Sequence, residues 1–265
     1  MRLSRPLFTA LALLVAGALF TPLDAQIVAT KTKIGGTGEW KETAAITTMN
    51  RAIWTIESDG TLYRTDLSGN WEQVGADGAF KKTTQLVGMD GALYTIENGS
   101  LYSNNPRSLR WTQLGRTGDW KGTVSMVSTA GFLYSLETDG SLYRTSKSGD
   151  WTPVGEKGSF QHTEFLAAMG GLLYTIEGGS LYATAPSKGT WRRVGKQGDY
   201  ANTIDMVSDG NYLFTLEEDG TIYRVDRTGA WEYVGRRGAY KNAQWMAAID
   251  GTVYTIENGS LHRTR

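Results

Sequence analysis

The 265-residue sequence contains no cysteine, only two histidines and five prolines. Without cysteine no disulfide can staple the chain, so an exported form must rest on its core, and a lipid-anchored lipoprotein is excluded for want of its acceptor residue. The histidines, His162 and His262, stand at different places in the pattern described below. Neither a His-based triad nor a zinc motif can be assembled from them. No sign of charge dominates either: 27 basic residues meet 27 acidic ones. A nucleic-acid-binding stripe and an anionic-membrane patch are both unsupported by that balance. Long apolar runs are missing beyond the first, Leu7 to Phe20, which follows Arg2 and Arg5 and precedes the small residue Ala25 before Gln26. That order is a secretory signal pattern over residues 1–25. It predicts a secreted or periplasmic mature chain, residues 26–265, that does not insert in a membrane.

What the chain has in quantity is glycine, 33 residues, and aromatics, 11%. This is the composition of a turn-rich all-β protein. The glycines are periodic. Gly75, Gly115, Gly155, Gly195 and Gly235 are spaced by 40 without drift, and Glu57, Glu97, Glu137, Glu177, Glu217 and Glu257 keep the same step. A fixed period in this range marks a repeat architecture. Within a repeat, four short runs rich in Thr, Tyr, Ile, Val and Trp are bounded by glycine turns: Thr43 to Met49, Ala52 to Glu57, Thr61 to Thr65 and Trp71 to Val74. The middle turn alternates. Repeats one, three and five carry Asp59-Gly60, Asp139-Gly140 and Asp219-Gly220; the others carry the shorter Asn98-Gly99, Gly178-Gly179 and Asn258-Gly259, which suit a two-residue hairpin with positive φ. Three copies of an 80-residue pair follow, and with them pseudo-threefold symmetry.

Four strands in each of six repeats predict an all-β, six-bladed β-propeller with four-stranded blades. The repeats are 36–75, 76–115, 116–155, 156–195, 196–235, and 236–265 completed by 26–35. The sixth lacks its Trp-x-x-Val-Gly strand, and Lys31 to Gly35 matches that strand 40 residues before Trp71. An N-terminal strand therefore completes the last blade and closes the ring, which also removes an open edge.

Three aromatic sets recur. Trp71, Trp111, Trp151, Trp191 and Trp231 form one, and Trp54, Tyr94, Tyr134, Tyr174, Phe214 and Tyr254 another; both are expected in the core between blades. The third is Trp40, Phe80, Trp120, Phe160, Tyr200 and Tyr240, at a loop-to-strand boundary where binding residues gather. Core packing and ligand contact both suit that place. The repeated glutamate reads as a structural acceptor for a backbone amide or for a hydroxyl such as that of Thr43, since a catalytic acid needs one special environment instead of six alike. No catalytic residue, metal site or cofactor is expected, and the chain reads as not an enzyme. A sialidase-type reading of Asp66 to Trp71 lacks both the arginine triad and the Tyr/Glu pair.

The order carried by Gly115, Gly118, Trp120, Leu133, Tyr134, Leu142, Tyr143, Trp151, Val154 and Gly155 resembles the repeat of the tachylectin-2-type propeller lectins, and less closely the tectonin repeat. The resemblance implies binding of N-acetylated sugars in pockets between adjacent blades, without a metal. This chain departs in having six repeats instead of five, a shorter unit, and one more residue between Gly115 and Trp120. The expected function is multivalent glycan binding by the third ring set. The alternative is a non-enzymatic protein-binding scaffold with a cell-surface protein as partner.

Overall fold

The computed structural model describes residues 29–187 and 189–265, so the expected signal segment lies outside the described residues. Among the described residues, 24 strands fall into six antiparallel four-stranded sheets, five of them in simple up-and-down order. Blade 1 consists of Thr43–Met49, Ala52–Glu57, Leu62–Thr65 and Trp71–Gln73. The next four blades repeat it. Blade 6 contains Ala243–Ile249, Thr252–Glu257 and Ser260–Thr264, and its outermost strand is Lys31–Lys33 from the other end of the chain. Lys31 pairs with Thr264 and Lys33 with His262, so the ring closes as the repeat count demands. Among the described residues no helix is long and apolar enough to cross a membrane.

Alternating burial would be expected of a sheet with one wet face. The second strand of each blade is instead buried on both faces, as in Ala52–Glu57, because it is sandwiched between neighbouring blades. The ring set at Trp54 sits there and is buried at every repeat, as expected. Innermost strands surround a channel with a cavity of about 260 Å³, lined by Ile46, Leu86, Met126, Leu166, Met206 and Met246 among others. Every innermost pair carries the same register shift, between Thr43 and Ala45 in blade 1. A bulge of this kind leaves one residue unpaired and re-aims its neighbours.

The bulge brings Thr43 opposite Glu57. Its hydroxyl donates to the Glu57 carboxylate at 3.1 Å, and Thr123, Thr163 and Thr203 do the same to Glu137, Glu177 and Glu217 at 2.7, 2.8 and 3.0 Å. Thr83 bonds Glu97 likewise. The repeated glutamate is thus the hydroxyl acceptor its recurrence suggests. Blade 6 has Ala243 at the threonine's place, and there Lys31 Nζ pairs with Glu257 at 2.7 Å.

Neighbouring blades are joined by one recurring bond. The Trp40 amide donates to the Gly259 carbonyl of the preceding blade at 2.9 Å. Phe80, Trp120, Phe160, Tyr200 and Tyr240 donate in turn to Gly60, Gly99, Gly140, Gly179 and Gly220 at 2.8–3.0 Å. The approach is so close that a Cβ on any of the six glycines would meet the residue after the ring at under 3.0 Å. All six also have positive φ, so both space and backbone demand glycine. A second bond supports the first in five blades: Gly38, Gly78, Gly118, Gly198 and Gly238 amides donate to the hydroxyls of Ser260, Thr61, Ser100, Ser180 and Thr221.

The most variable place in the repeat, Ala45 and its counterparts, faces the next blade. Trp245 Nε1 donates to the Thr43 carbonyl across the closure, and Gln85 Nε2 to the Val124 carbonyl, both at 3.1 Å. Asp205 occupies this place in blade 5, partly exposed by area, and desolvation pushes its carboxyl up to about 6. The folded state then binds its proton more readily than the unfolded state, so stability falls as pH rises between about 4 and 6. Asp205→Asn should therefore stabilise the protein by on the order of 1–3 kcal/mol at pH 7.5, with the gain vanishing below about pH 4; urea melts at the two pH values check it. Deleting residues 29–34 should expose the edge of blade 6 and cause a large fall in Tm or aggregation, read by calorimetry and light scattering.

Candidate functional site

The face that carries the hairpins at Gly60 and its counterparts holds two matching clefts. The first, with a cavity of 340 Å³, is bordered by Trp40, Glu57, Asp59, Tyr63 and Trp71. The second, of 330 Å³, is bordered by Trp120, Glu137, Asp139, Tyr143 and Trp151, the same repeat positions two blades further on. In each a Tyr–Trp pair stands as a perpendicular corner: Tyr63 and Trp71 at 5.3 Å and 87°, Tyr143 and Trp151 at 5.0 Å and 80°.

Sequence reasoning expected Trp71 and its counterparts in the core, and this is corrected for three of the five, while Trp111 and Trp191 are half-buried against the core. Trp71, Trp151 and Trp231 are 48%, 49% and 45% exposed. The third set is placed the other way round: Trp40, Phe80, Trp120, Phe160, Tyr200 and Tyr240 are all 1–4% exposed, wedged between blades by the amide bonds described above. Of these six, Trp40 and Trp120 border the two clefts.

Ring size explains the arrangement. In blades 2 and 4 the wedge is a phenylalanine, and the outer-strand tryptophan packs inward against it: Phe80 with Trp111 at 4.6 Å and Phe160 with Trp191 at 5.1 Å. In blades 1 and 3 the wedge is the larger Trp40 or Trp120, which fills that space itself and leaves Trp71 or Trp151 standing in solvent. Blade 5 combines Tyr200 with an exposed Trp231, but Tyr233, in the register place of Gln73, packs on both Tyr223 and Trp231. The signal was present in the sequence as a Trp/Phe alternation at the wedge, tied to the turn alternation.

Acidic groups border both clefts. Burial raises the carboxyls of Glu57 and Glu137 above the usual range, opposed by the hydroxyl bonds from Thr43 and Thr123. Asp59 and Asp139 are held low by the backbone amides of Thr61 and Ser141, which they accept at 2.8 and 2.9 Å. At the buried floor, Thr55 Oγ and Ser135 Oγ have no hydrogen-bond partner. Among the described residues no group of three or more His, Cys, Asp and Glu is arranged to hold a metal ion.

These features define a six-bladed β-propeller with paired aromatic clefts on one face. No protein-family model matches the chain, and no curated protein matches it in sequence. Solved structures do. It is similar to PorZ, a bacterial surface component of the type-IX secretion system of Porphyromonas gingivalis, with a TM-score of 0.60 and 14% identity over 83% of this chain; it spans only 30% of PorZ. YCF48 bound to a D1 peptide is similar at a TM-score of 0.60 and 12% identity, covering 89% of this chain and 96% of that one. Virginiamycin B lyase from Staphylococcus aureus follows at 0.56 and 12%, covering 86% and 81%. At such identities the likeness is one of fold. The lyase corrects one expectation: it is an enzyme on this architecture, so the repeated blade does not justify reading the chain as not an enzyme.

The two ring positions should separate cleanly on mutation. Trp120→Ala empties a buried wedge and should cost about 3–5 kcal/mol. Trp151→Ala removes a half-exposed ring and should cost under about 1 kcal/mol. Chemical denaturation of the two variants checks this difference.

Proposed function

We propose that this protein is an exported, multivalent carbohydrate-binding propeller whose sites are the clefts of blades 1 and 3. The signal pattern of residues 1–25 supports export. The single observation that carries sugar binding is the duplicated perpendicular corner in which an exposed tryptophan meets a half-buried tyrosine, Trp71 with Tyr63 and Trp151 with Tyr143, each above a cavity of 330–340 Å³. An exposed indole face offers an apolar platform for the C–H face of a pyranose. Carboxylates beside it supply acceptors for the sugar's hydroxyls, the mix of apolar wall and few polar groups that small-ligand sites use. Trp40 and Trp120 serve as floors, while the Phe80, Phe160, Tyr200 and Tyr240 wedges belong to blades whose corners are packed differently. The likeness of the repeat to tachylectin-2-type lectins supports the same reading.

Two sites on one face favour polymeric or surface-bound glycans, because joint engagement multiplies two weak affinities by roughly 10²–10⁴ where the spacing matches. A glycan array on the mature protein, followed by calorimetry on hits, tests the proposal. Trp71→Ala and Trp151→Ala should each remove one site, and the double variant should weaken binding at least tenfold (about 1.4 kcal/mol) without loss of Tm. Absence of glycan binding at millimolar concentration, or full retention by the double variant, would overturn it.

A further inference from the structure

The sixth blade already contains a ligand for its own cleft. Lys31 pairs with Thr264 as Trp71 pairs with Thr65, so a lysine holds the register place of the corner tryptophan. Its ammonium lies 5.0 Å from the centroid of Tyr240, the wedge ring of that blade. It donates to both carboxylate oxygens of Glu257, at 2.7 and 3.0 Å, and to the Ala239 carbonyl at 2.7 Å. Tyr240 and Glu257 are the counterparts of Trp40 and Glu57 in blade 1 and of Trp120 and Glu137 in blade 3. The wedge ring and the repeated glutamate together therefore form an ammonium seat, filled in blade 6 by the chain itself.

From this we infer that the clefts of blades 1 and 3 recognise a primary ammonium carried on a sugar, a residue of a de-N-acetylated amino sugar. The inference rests on the carbohydrate reading above and names the sugar class. Three observations carry it. Both clefts repeat the ring-and-glutamate pair that holds the Lys31 ammonium. Neither is bordered by a basic residue; Lys157 reaches Asp139 at 3.6 Å from outside, and Lys81 acts on Asp59 from the next blade. Aromatic faces with carboxylates are the surroundings that favour an organic cation. Acidic side chains do not gather closely enough here to chelate a metal ion, whereas a ring-bound ammonium needs one carboxylate and a π face.

An N-acetyl group would bring no charge to the half-buried carboxylate, whose displaced water would go uncompensated. Discrimination should thus run in favour of the free amine. The test is calorimetric titration of the mature protein with a glucosamine tetramer and with its fully N-acetylated counterpart, at a pH where the amine is protonated. At least tenfold tighter binding of the free amine is expected, with two sites per chain. Trp71→Lys should copy blade 6, seat a tethered ammonium on Trp40 and Glu57, and reduce the stoichiometry from two to one. Trp71→Lys with Trp151→Lys should abolish binding while circular dichroism and Tm stay unchanged. Glu57→Gln with Glu137→Gln should erase the preference for the amine, and its fold is checked the same way. Equal or tighter binding of the acetylated tetramer overturns this inference and leaves carbohydrate binding standing. Binding of neither overturns both. Binding of a lysine-rich peptide without the glucosamine tetramer also overturns it.

Discussion

One hydrogen bond, made six times, governs this propeller: a ring residue's amide donates to the glycine carbonyl at the hairpin tip of the blade before it. Alone it contributes about 1 kcal/mol. Its structural effect is larger, because it fixes where the ring enters the gap between blades. Once the amide is held, the side chain has to fill the wedge, and the neighbouring blades close over it. The glycine on the accepting side has no freedom to vary, since a Cβ there would strike the backbone it is bonded to. Scaffold and site thus share an anchor. The wall of each cleft, the floor of each cleft and the spacing between blades all depend on the same contact.

From that anchor, a single choice of ring decides what each blade presents. Phenylalanine at the wedge leaves room, and the outer tryptophan falls inward to use it. Tryptophan at the wedge leaves none, and its outer partner is left facing solvent. The exposed apolar surface is therefore a displaced ring with nowhere to pack. Exposed large rings in a repeated, geometrically matched setting point to a binding role more strongly than scattered ones do.

The architecture was legible because its marks are local and repeated. Asn98-Gly99 and Asn258-Gly259 adopt the positive φ values their residue types imply, the register of Lys31 with Thr264 was implied by a count of 40, and Thr43 was a foreseeable partner of Glu57. The cleft was less legible. Recurrence of Trp71, Trp111, Trp151, Trp191 and Trp231 suggested one shared environment, yet exposure at that position depends on a residue 31 positions earlier, at the wedge. Burial there is a property of a pair, Trp40 with Trp71 or Phe80 with Trp111, and no single position reveals it. Lys31 was equally opaque. Its place in a closing strand could be counted, but the direction of its ammonium is set by partners more than two hundred residues away, Glu257 and the Ala239 carbonyl.

Closure by that strand also sets an order of events. Lys31 emerges from the ribosome long before Thr264, with more than two hundred residues between them. The entropy of joining ends so far apart grows only slowly with length, about 0.6 kcal/mol for each doubling, so the finished ring loses little stability by it. The kinetic consequence is different. Blades 1 to 5 can each assemble from contiguous chain, while the sixth waits, its edge unpaired, for the oldest strand to return. The last bond formed is also the one that places a positive charge in the sixth cleft, so that seat, unlike its counterparts in blades 1 and 3, is never vacant once the ring is whole.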